Sequence, residues 1–162
     1  MCIRDRFIFN PDFQVFVDSL LSEGENVTNS QIREFGERYT EAWNSNEPAN
    51  VAAFYSEDGS LKVNEADAAV GREAITAVAE GFMTSFPDMV VYMDSIRTTA
   101  TGFEYHWRFV GTNTGPGGTG NAVDFTGWEE WTFGPDDLIS QSLGNFDEDE
   151  YARQLEFGVD GG

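Results

Sequence analysis

Few side chains in this sequence are equipped for chemistry, and the most anomalous is a glutamate. Alternation along the run Ala122 to Phe133 puts Phe125, Glu129, Trp131 and Phe133 on one face, so Glu129 is a carboxylate among aromatic neighbours. Burying an ionised carboxylate is costly, and desolvation can raise its pKa by up to about 3 to 5 units, which tunes a proton donor or acceptor toward neutral pH. Two plainer readings of Glu129 stay open from the pattern alone: a place at a strand end, or a pairing with an arginine on a neighbouring strand. Asp147 is the second carboxylate of interest. It follows an apolar run ending at Phe146 and opens a helical segment, where it could lean over the mouth or floor of a cavity bounded by a sheet. With Glu150 three positions on, it equally matches a capping box, in which such an aspartate accepts backbone N–H groups.

The chain has 1 His and 1 Cys, and those counts exclude much. A lone Cys2 forms no intrachain disulfide and builds no multi-thiolate zinc site, and a His-X-X-X-His zinc motif cannot exist. Any Ser-His-Asp arrangement would have to run through His106, which strand parity sends away from the ringed face, toward the surface or a dimer interface. The acidic run Asp147 to Glu150 lacks the spaced ligands and invariant glycine of a calcium loop. The expectation is no metal and no cofactor.

These residues must be positioned by a recognisable series of elements. Apolar spacing predicts a short helix over Phe13 to Leu21 and a second one capped by Thr28 or Ser30, with Ile32, Phe35, Tyr39, Ala42 and Trp43 on one face. Pro48 suits the first turn of a brief third helix, with Val51, Ala52, Phe54 and Tyr55 inward, before Ser56 to Gly59 turns the chain into a strand at Ser60 to Val63. A helix over Ala74 to Phe86 carries Ile75, Val78, Ala79, Phe82 and Phe86 on one stripe and stops at Pro87. From Met89 the period becomes two. Strands are predicted at Val90 to Thr99, Phe103 to Asn113, Ala122 to Phe133 and Leu138 to Phe146, as an antiparallel meander. Along the second of them Phe103, Tyr105, Trp107 and Phe109 face inward, and Glu104, His106 and Arg108 face out. A helix over Asp147 to Leu155 ends the series, which gives an α+β class with helices on one sheet face. Gly115 to Gly120 has no Lys after it and precedes a strand, so it reads as a hairpin loop rather than a phosphate cradle.

The chain of 162 residues is one domain's worth, and 40% hydrophobic with 14% aromatic residues is enough for a sizeable core. We divide it into an N-terminal extension over 1–27, a domain over 28–158 and a tail over 159–162. The opening MCIRDR resembles a translated adapter or assembly scar rather than a signal peptide, since no apolar stretch of about 7 to 15 residues ending in small residues follows. A cytoplasmic location is the default expectation. The formal net charge of -20 repels phosphodiester backbones and anionic lipid alike, so neither nucleic acid nor a membrane surface is expected as partner.

Tyr39-Thr-Glu-Ala-Trp43, FYSEDGSL at Phe54 to Leu61, SFPDM at Ser85 to Met89 and GTNTG at Gly111 to Gly115, in that order, resemble a SnoaL-like polyketide cyclase over about Gln31 to Gly158. That family belongs to the nuclear-transport-factor-2-like superfamily, and the resemblance implies a cone in which a curved antiparallel sheet wraps helices around one deep apolar pocket. It places Asp147, with Gln154-Leu155 at the matching interval, on the family's acid/base aspartate. Where the family often has Gly-Thr-His, this chain has Gly111-Thr112-Asn113, so an amide able to donate a hydrogen bond at the pocket rim replaces an imidazole. The implied activity is cofactor-independent proton transfer on a small apolar carbonyl compound, as aldol-type cyclisation or isomerisation requires. Asp147 would then move the proton, and Asn113, Tyr39 or a protonated Glu129 would hydrogen-bond the enolate oxygen. Tyr39, Trp43, Phe54, Phe82, Trp107, Phe109, Trp131 and Phe133 would bind substrate. A homodimer is implied, with Trp128 as a candidate interface ring.

Three rival readings remain. A non-catalytic small-molecule-binding module could use the same fold. A hydrolase or dehydratase resembling limonene-epoxide hydrolase or scytalone dehydratase is disfavoured, because the former needs an Asp-Arg-Asp set in the pocket and Arg108 faces out. Ketosteroid isomerase places a tyrosine where Tyr39 stands, but its base would align with Val63 and Asn64.

Overall fold

The computed structural model describes residues 25–161, and the predicted helix over Phe13 to Leu21 lies outside them. Helix α1 (Glu25–Trp43) leads to α2 (Pro48–Ala52), strand β1 (Tyr55–Val63), the short β2 (Ala69–Val70) and α3 (Arg72–Ser85). Strands β3 (Val90–Thr98), β4 (Phe103–Thr112), β5 (Ala122–Phe133) and β6 (Ile139–Phe146) follow, and α4 (Glu148–Phe157) ends the fold. The strands form one curved, unclosed sheet of six in the order β2-β1-β6-β5-β4-β3. The meander β3 to β6 is antiparallel as expected, while β1 joins it parallel to β6.

Three local expectations need correction. Thr28 and Ser30 lie inside α1, which already runs at Glu25. Residues 25–30 are mostly polar in sequence and leave no apolar period, so spacing alone could not register them as helix. Ser56 to Gly59 is not a turn but part of β1, whose pairing with β6 shifts register between Tyr55 and Ser60. A bulge of this kind lets turn-type residues stay in a strand. The two-residue β2, paired through Ser60 and Leu61, was too short to leave a pattern.

Two aromatic-rich surfaces meet in the core. From α1, Ile32, Phe35, Tyr39, Ala42 and Trp43 are all buried, as the spacing predicts. From β5, the inward positions Val123, Phe125, Glu129 and Trp131 are buried in strict alternation with exposed or half-buried neighbours. Phe35 packs edge-on against Phe54, Trp131 and Phe133, with centroid distances of 5.3, 5.4 and 4.9 Å. Such edge-to-face pairs add roughly 0.5–1.5 kcal/mol each beyond the area they bury, so this end of the cone is solid.

Candidate functional site: a buried carboxylate at an aromatic cavity

The other end of the cone is hollow. A cavity of about 60 Å³ lies between the inner sheet face and α3. Trp43 of α1 and Val78 and Phe82 of α3 form one wall. Tyr105, Trp107 and Phe109 of β4 and Phe125 of β5 form the opposite one, and Leu61, Val63, Gly144 and Phe146 close the β1–β6 side. Among the described residues Glu129 is the one carboxylate that lines it.

Strand register explains how the space arises. Trp107 is paired across the ladder with Gly127, and Glu129 is flanked by Tyr105 on β4 and Gly144 on β6. A Cβ on Gly127 would stand only 2.5 Å from Trp107 Cζ2, so the indole lies where any other residue would put its side chain. A Cβ on Gly144 would point to within 3.9 Å of Glu129 Cγ. Its absence leaves open the volume beside the carboxylate.

Glu129 is 6% exposed, and its two oxygens have different surroundings. Oε1 accepts hydrogen bonds from the Tyr39 hydroxyl at 3.0 Å, the Trp131 indole N–H at 2.9 Å and the Ser142 hydroxyl at 2.8 Å. Oε2 accepts none from the described residues, which leaves it as the oxygen open to the cavity. The donors follow from the fold. Trp131 is two positions along the same face of β5, Ser142 is its register partner on β6, and Tyr39 reaches across from α1. The Tyr39 proton goes to Glu129, so Tyr55 donates to Tyr39 at 2.8 Å. The Tyr105 hydroxyl donates to Thr40, whose own proton goes to the Gly36 carbonyl.

Burial pushes the Glu129 carboxyl above its ordinary pKa, and the three hydrogen bonds from Trp131, Ser142 and Tyr39 partly offset that rise. Burial, reinforced by the Glu129 charge, holds Tyr39 and Tyr55 far above the usual phenol range. Tyr105 is raised as well, chiefly by burial. Glu129 therefore holds its proton to higher pH than an ordinary carboxylate, while the three tyrosines are held in their protonated form. No arginine among the described residues pairs with it, and it sits in mid-strand rather than at an end, so neither plain alternative describes it there.

The remaining expected residues divide sharply. Trp43, Phe82, Trp107 and Phe109 line the cavity. Tyr39, Phe54, Trp131 and Phe133 lie in the solid aromatic core instead, two of them as supports of Glu129. Asp147 does not reach the cavity. It is exposed, caps α4 and accepts the Glu150 backbone N–H at 3.1 Å, the aspartate half of the capping-box alternative, while the Glu150 carboxylate accepts from Arg153 and Gln154 instead. Asn113 is buried but serves the β4–β5 loop: its Nδ2 donates to the Ser85 carbonyl and its Oδ1 accepts the Thr119 N–H. Neither is placed to act on an occupant of the cavity. Sequence reading missed Leu61, Val63, Val78, Val91, Gly144 and Phe146 as lining, and Tyr55, though read as inward, and Ser142 as supports. For Ser142, Gly144 and Phe146 the signal available was their shared parity on β6. Among the described residues no group of three or more His, Cys, Asp and Glu is placed to hold a metal, and no helix is long and apolar enough to cross a membrane.

The outer sheet face has a different chemistry. His106 stacks on Trp128 at 6.1 Å and contacts Glu104 and Arg97, while Arg108 binds Asp124 through two hydrogen bonds of 2.8 and 2.6 Å. The parity that sends these groups outward is the one read from the sequence.

Comparison of the sequence with curated proteins returns no match. Among solved structures, a hypothetical protein with a ketosteroid isomerase-like fold from Catenulispora acidiphila, in complex with trimethylamine, is similar with a TM-score of 0.65 at 12% identity, over 74% of this chain and 89% of that one. A candidate SnoaL-like polyketide cyclase from Jannaschia sp. CCS1 gives 0.63 at 16% identity, over 74% and 90%. A nuclear-transport-factor-2-like protein of unknown function from Burkholderia pseudomallei gives 0.63 at 14% identity, over 74% and 92%. At these identities the likeness shows the fold, a nuclear-transport-factor-2-like cone. The family profile of the SnoaL-like domain matches residues 36–142, more than half of the sequence. The chain belongs to the SnoaL-like domain family.

Proposed function

We propose that the cavity is the reaction site of a cofactor-independent enzyme that transfers a proton on a small, mostly apolar carbonyl compound, and that Glu129 carries the proton. The observation behind this reading is the asymmetry of the carboxylate: three donors fix Oε1, and Oε2 is left for an occupant. Fixing one oxygen orients the other, and burial brings the group closer to the operating pH, which is what a general acid/base needs. In its ionised form Glu129 takes a proton from the carbon next to the carbonyl. It then returns that proton to a different carbon in an isomerisation, or to the alkoxide formed when the enolate attacks a second carbonyl in an aldol-type closure.

The developing oxyanion needs a donor, and Asn113 and Tyr39 are engaged elsewhere. Trp107 lines the cavity and its indole N–H has no acceptor among the described residues, so we assign it that role. The cavity's size favours a compact substrate over a multi-ring polyketide, and the small ligand of the Catenulispora neighbour supports such an occupant.

The test is hydrogen–deuterium exchange beside the carbonyl of small enolisable ketones, followed by proton NMR. Glu129→Gln should slow protein-catalysed exchange by about 10² to 10⁴, with Trp107→Phe slowing it less. Exchange at the background rate in the wild-type protein, with ketone still bound, would turn the reading to a binding module. We also propose a homodimer formed through the outer sheet face, where Tyr92 and Trp128 are 50% and 37% exposed. A monomeric mass in sedimentation equilibrium overturns it.

A further inference from the structure

Among the described residues the Glu129 carboxylate has no counter-cation. Its three hydrogen-bond partners are neutral, and every other residue lining the cavity is apolar or aromatic. The titratable groups facing it are Tyr39 from α1, Tyr55 from β1 and Tyr105 from β4, none of them basic, and each is held protonated. The walls contributed by α3, β3 and β6, through Val78, Phe82, Val91 and Phe146, carry no charge at all. An anion in such a place is stabilised either by a proton or by a cation that is itself greasy.

The walls discriminate between visiting cations. Trp43, Phe82, Tyr105, Trp107, Phe109 and Phe125 surround the space with rings. Aromatic rings attract a cation held within about 6 Å of the centroid, most strongly when water is excluded, and this is the usual way proteins recognise methylated ammonium groups. A hydrated metal ion would find one carboxylate and no further oxygen ligands, whereas an alkylated nitrogen needs none. We propose that the cavity binds a small alkylammonium ion, its alkyl groups against the rings and its positive charge beside Glu129 Oε2. The inference rests on the reading of this cavity as a ligand site with Oε2 as its anionic contact, and it adds a ligand class that carbonyl chemistry does not require. The net charge of -20 raises the local concentration of any cation, which favours the encounter.

The two ligand classes respond differently to the charge of one side chain. A ketone is neutral and takes its hydrogen bond from the Trp107 indole N–H, so its binding gains nothing from the negative charge on Glu129. An alkylammonium requires the carboxylate and binds better as pH rises. Tetramethylammonium is permanently charged, so protein groups alone set its pH dependence, and tert-butanol is a neutral control with the same number of heavy atoms.

Isothermal titration of the full chain with both probes should show tetramethylammonium binding about tenfold or more tighter than tert-butanol. Its affinity should rise with pH through the Glu129 titration. Glu129→Gln, checked for folding by circular dichroism, should abolish the preference for tetramethylammonium over tert-butanol. Gly144→Val keeps the carboxylate but fills the space beside it, and should expel both probes. Equal affinity for the two probes, or a preference that survives Glu129→Gln, overturns the inference. If a small ketone binds but tetramethylammonium does not, the ammonium inference falls and the carbonyl reading stands. If neither ketone, alcohol nor ammonium binds, the cavity is not the ligand site and both fall.

Discussion

Glu129 and Asp147 carry the same functional group, and the fold gives them opposite uses. Asp147 stands where β6 hands the chain to α4; it is exposed, and one backbone N–H from its own helix occupies its side chain. Glu129 stands in the middle of β5, flanked in register by Tyr105 and Gly144, and takes three donors from α1, β5 and β6. A cap carboxylate is stabilised where it is made, by local geometry. A buried one persists only because several distant elements bring donors to it.

The largest expected effect comes from breaking the buried half of this pair with an apolar side chain. Glu129→Leu leaves the indole N–H of Trp131 and the hydroxyl of Ser142 without their acceptor in the core. At roughly 1–3 kcal/mol for each orphaned group, a loss of about 2–5 kcal/mol is expected, less whatever is regained by no longer burying a charge. In thermal denaturation the midpoint should fall by roughly 5–15 °C. Glu129→Gln keeps an acceptor for the same donors and should be tolerated. Its comparison with wild type also reveals the titration. Because the folded carboxyl titrates above the unfolded one, the folded state holds its proton where the unfolded state has lost it, and stability falls as pH rises from the unfolded value through the raised one. The wild-type midpoint should therefore drop relative to that of Glu129→Gln across this window, and be closest to it at acid pH. A constant gap would mean that Glu129 titrates normally.

Ser142→Ala should have a smaller effect, about 1–2 kcal/mol, the range for losing one hydrogen bond to a buried polar or charged acceptor. It removes one of the interactions that hold the Glu129 pKa down, so the pH window found above should move further up. A shift downward would show that Ser142 is not a donor to the ionised form.

How much of this was legible in the sequence depends on whether the signal is local. The period of two along β4 and β5 fixes which residues face inward, so Tyr105, Trp107, Phe125, Glu129 and Trp131 were placed on the correct face from spacing alone. The solid and hollow ends of the cone share that pattern, so nothing in it could separate Phe54, Trp131 and Phe133, which fill the core, from Trp43, Phe82, Trp107 and Phe109, which line the cavity. The division is made by Gly127 and Gly144, whose missing side chains matter only once register is known. Ser142 and Tyr55 reach Glu129 and Tyr39 through strand pairing and helix packing that no single segment encodes. Resemblance favoured Asp147 as the acid/base residue, while local chemistry already offered the cap, and the local reading describes where the side chain lies.

The exposed half of the comparison sets the smallest effect. Asp147→Ala removes the side-chain acceptor for the Glu150 N–H at the first turn of α4, a loss of about 1 kcal/mol, or roughly 2–4 °C in midpoint for a chain of this size. Its consequences should stop there, because the side chain touches neither the cavity nor Glu129 or its donors. Asp147→Asn should recover most of that stability, since asparagine caps about as well as aspartate. Ketone exchange and probe affinity in both variants should stay within about twofold of wild type, as independent sites behave. A hundredfold loss of exchange in Asp147→Asn, with stability intact, would return the acid/base role to the end of β6 and leave Glu129 as a structural charge.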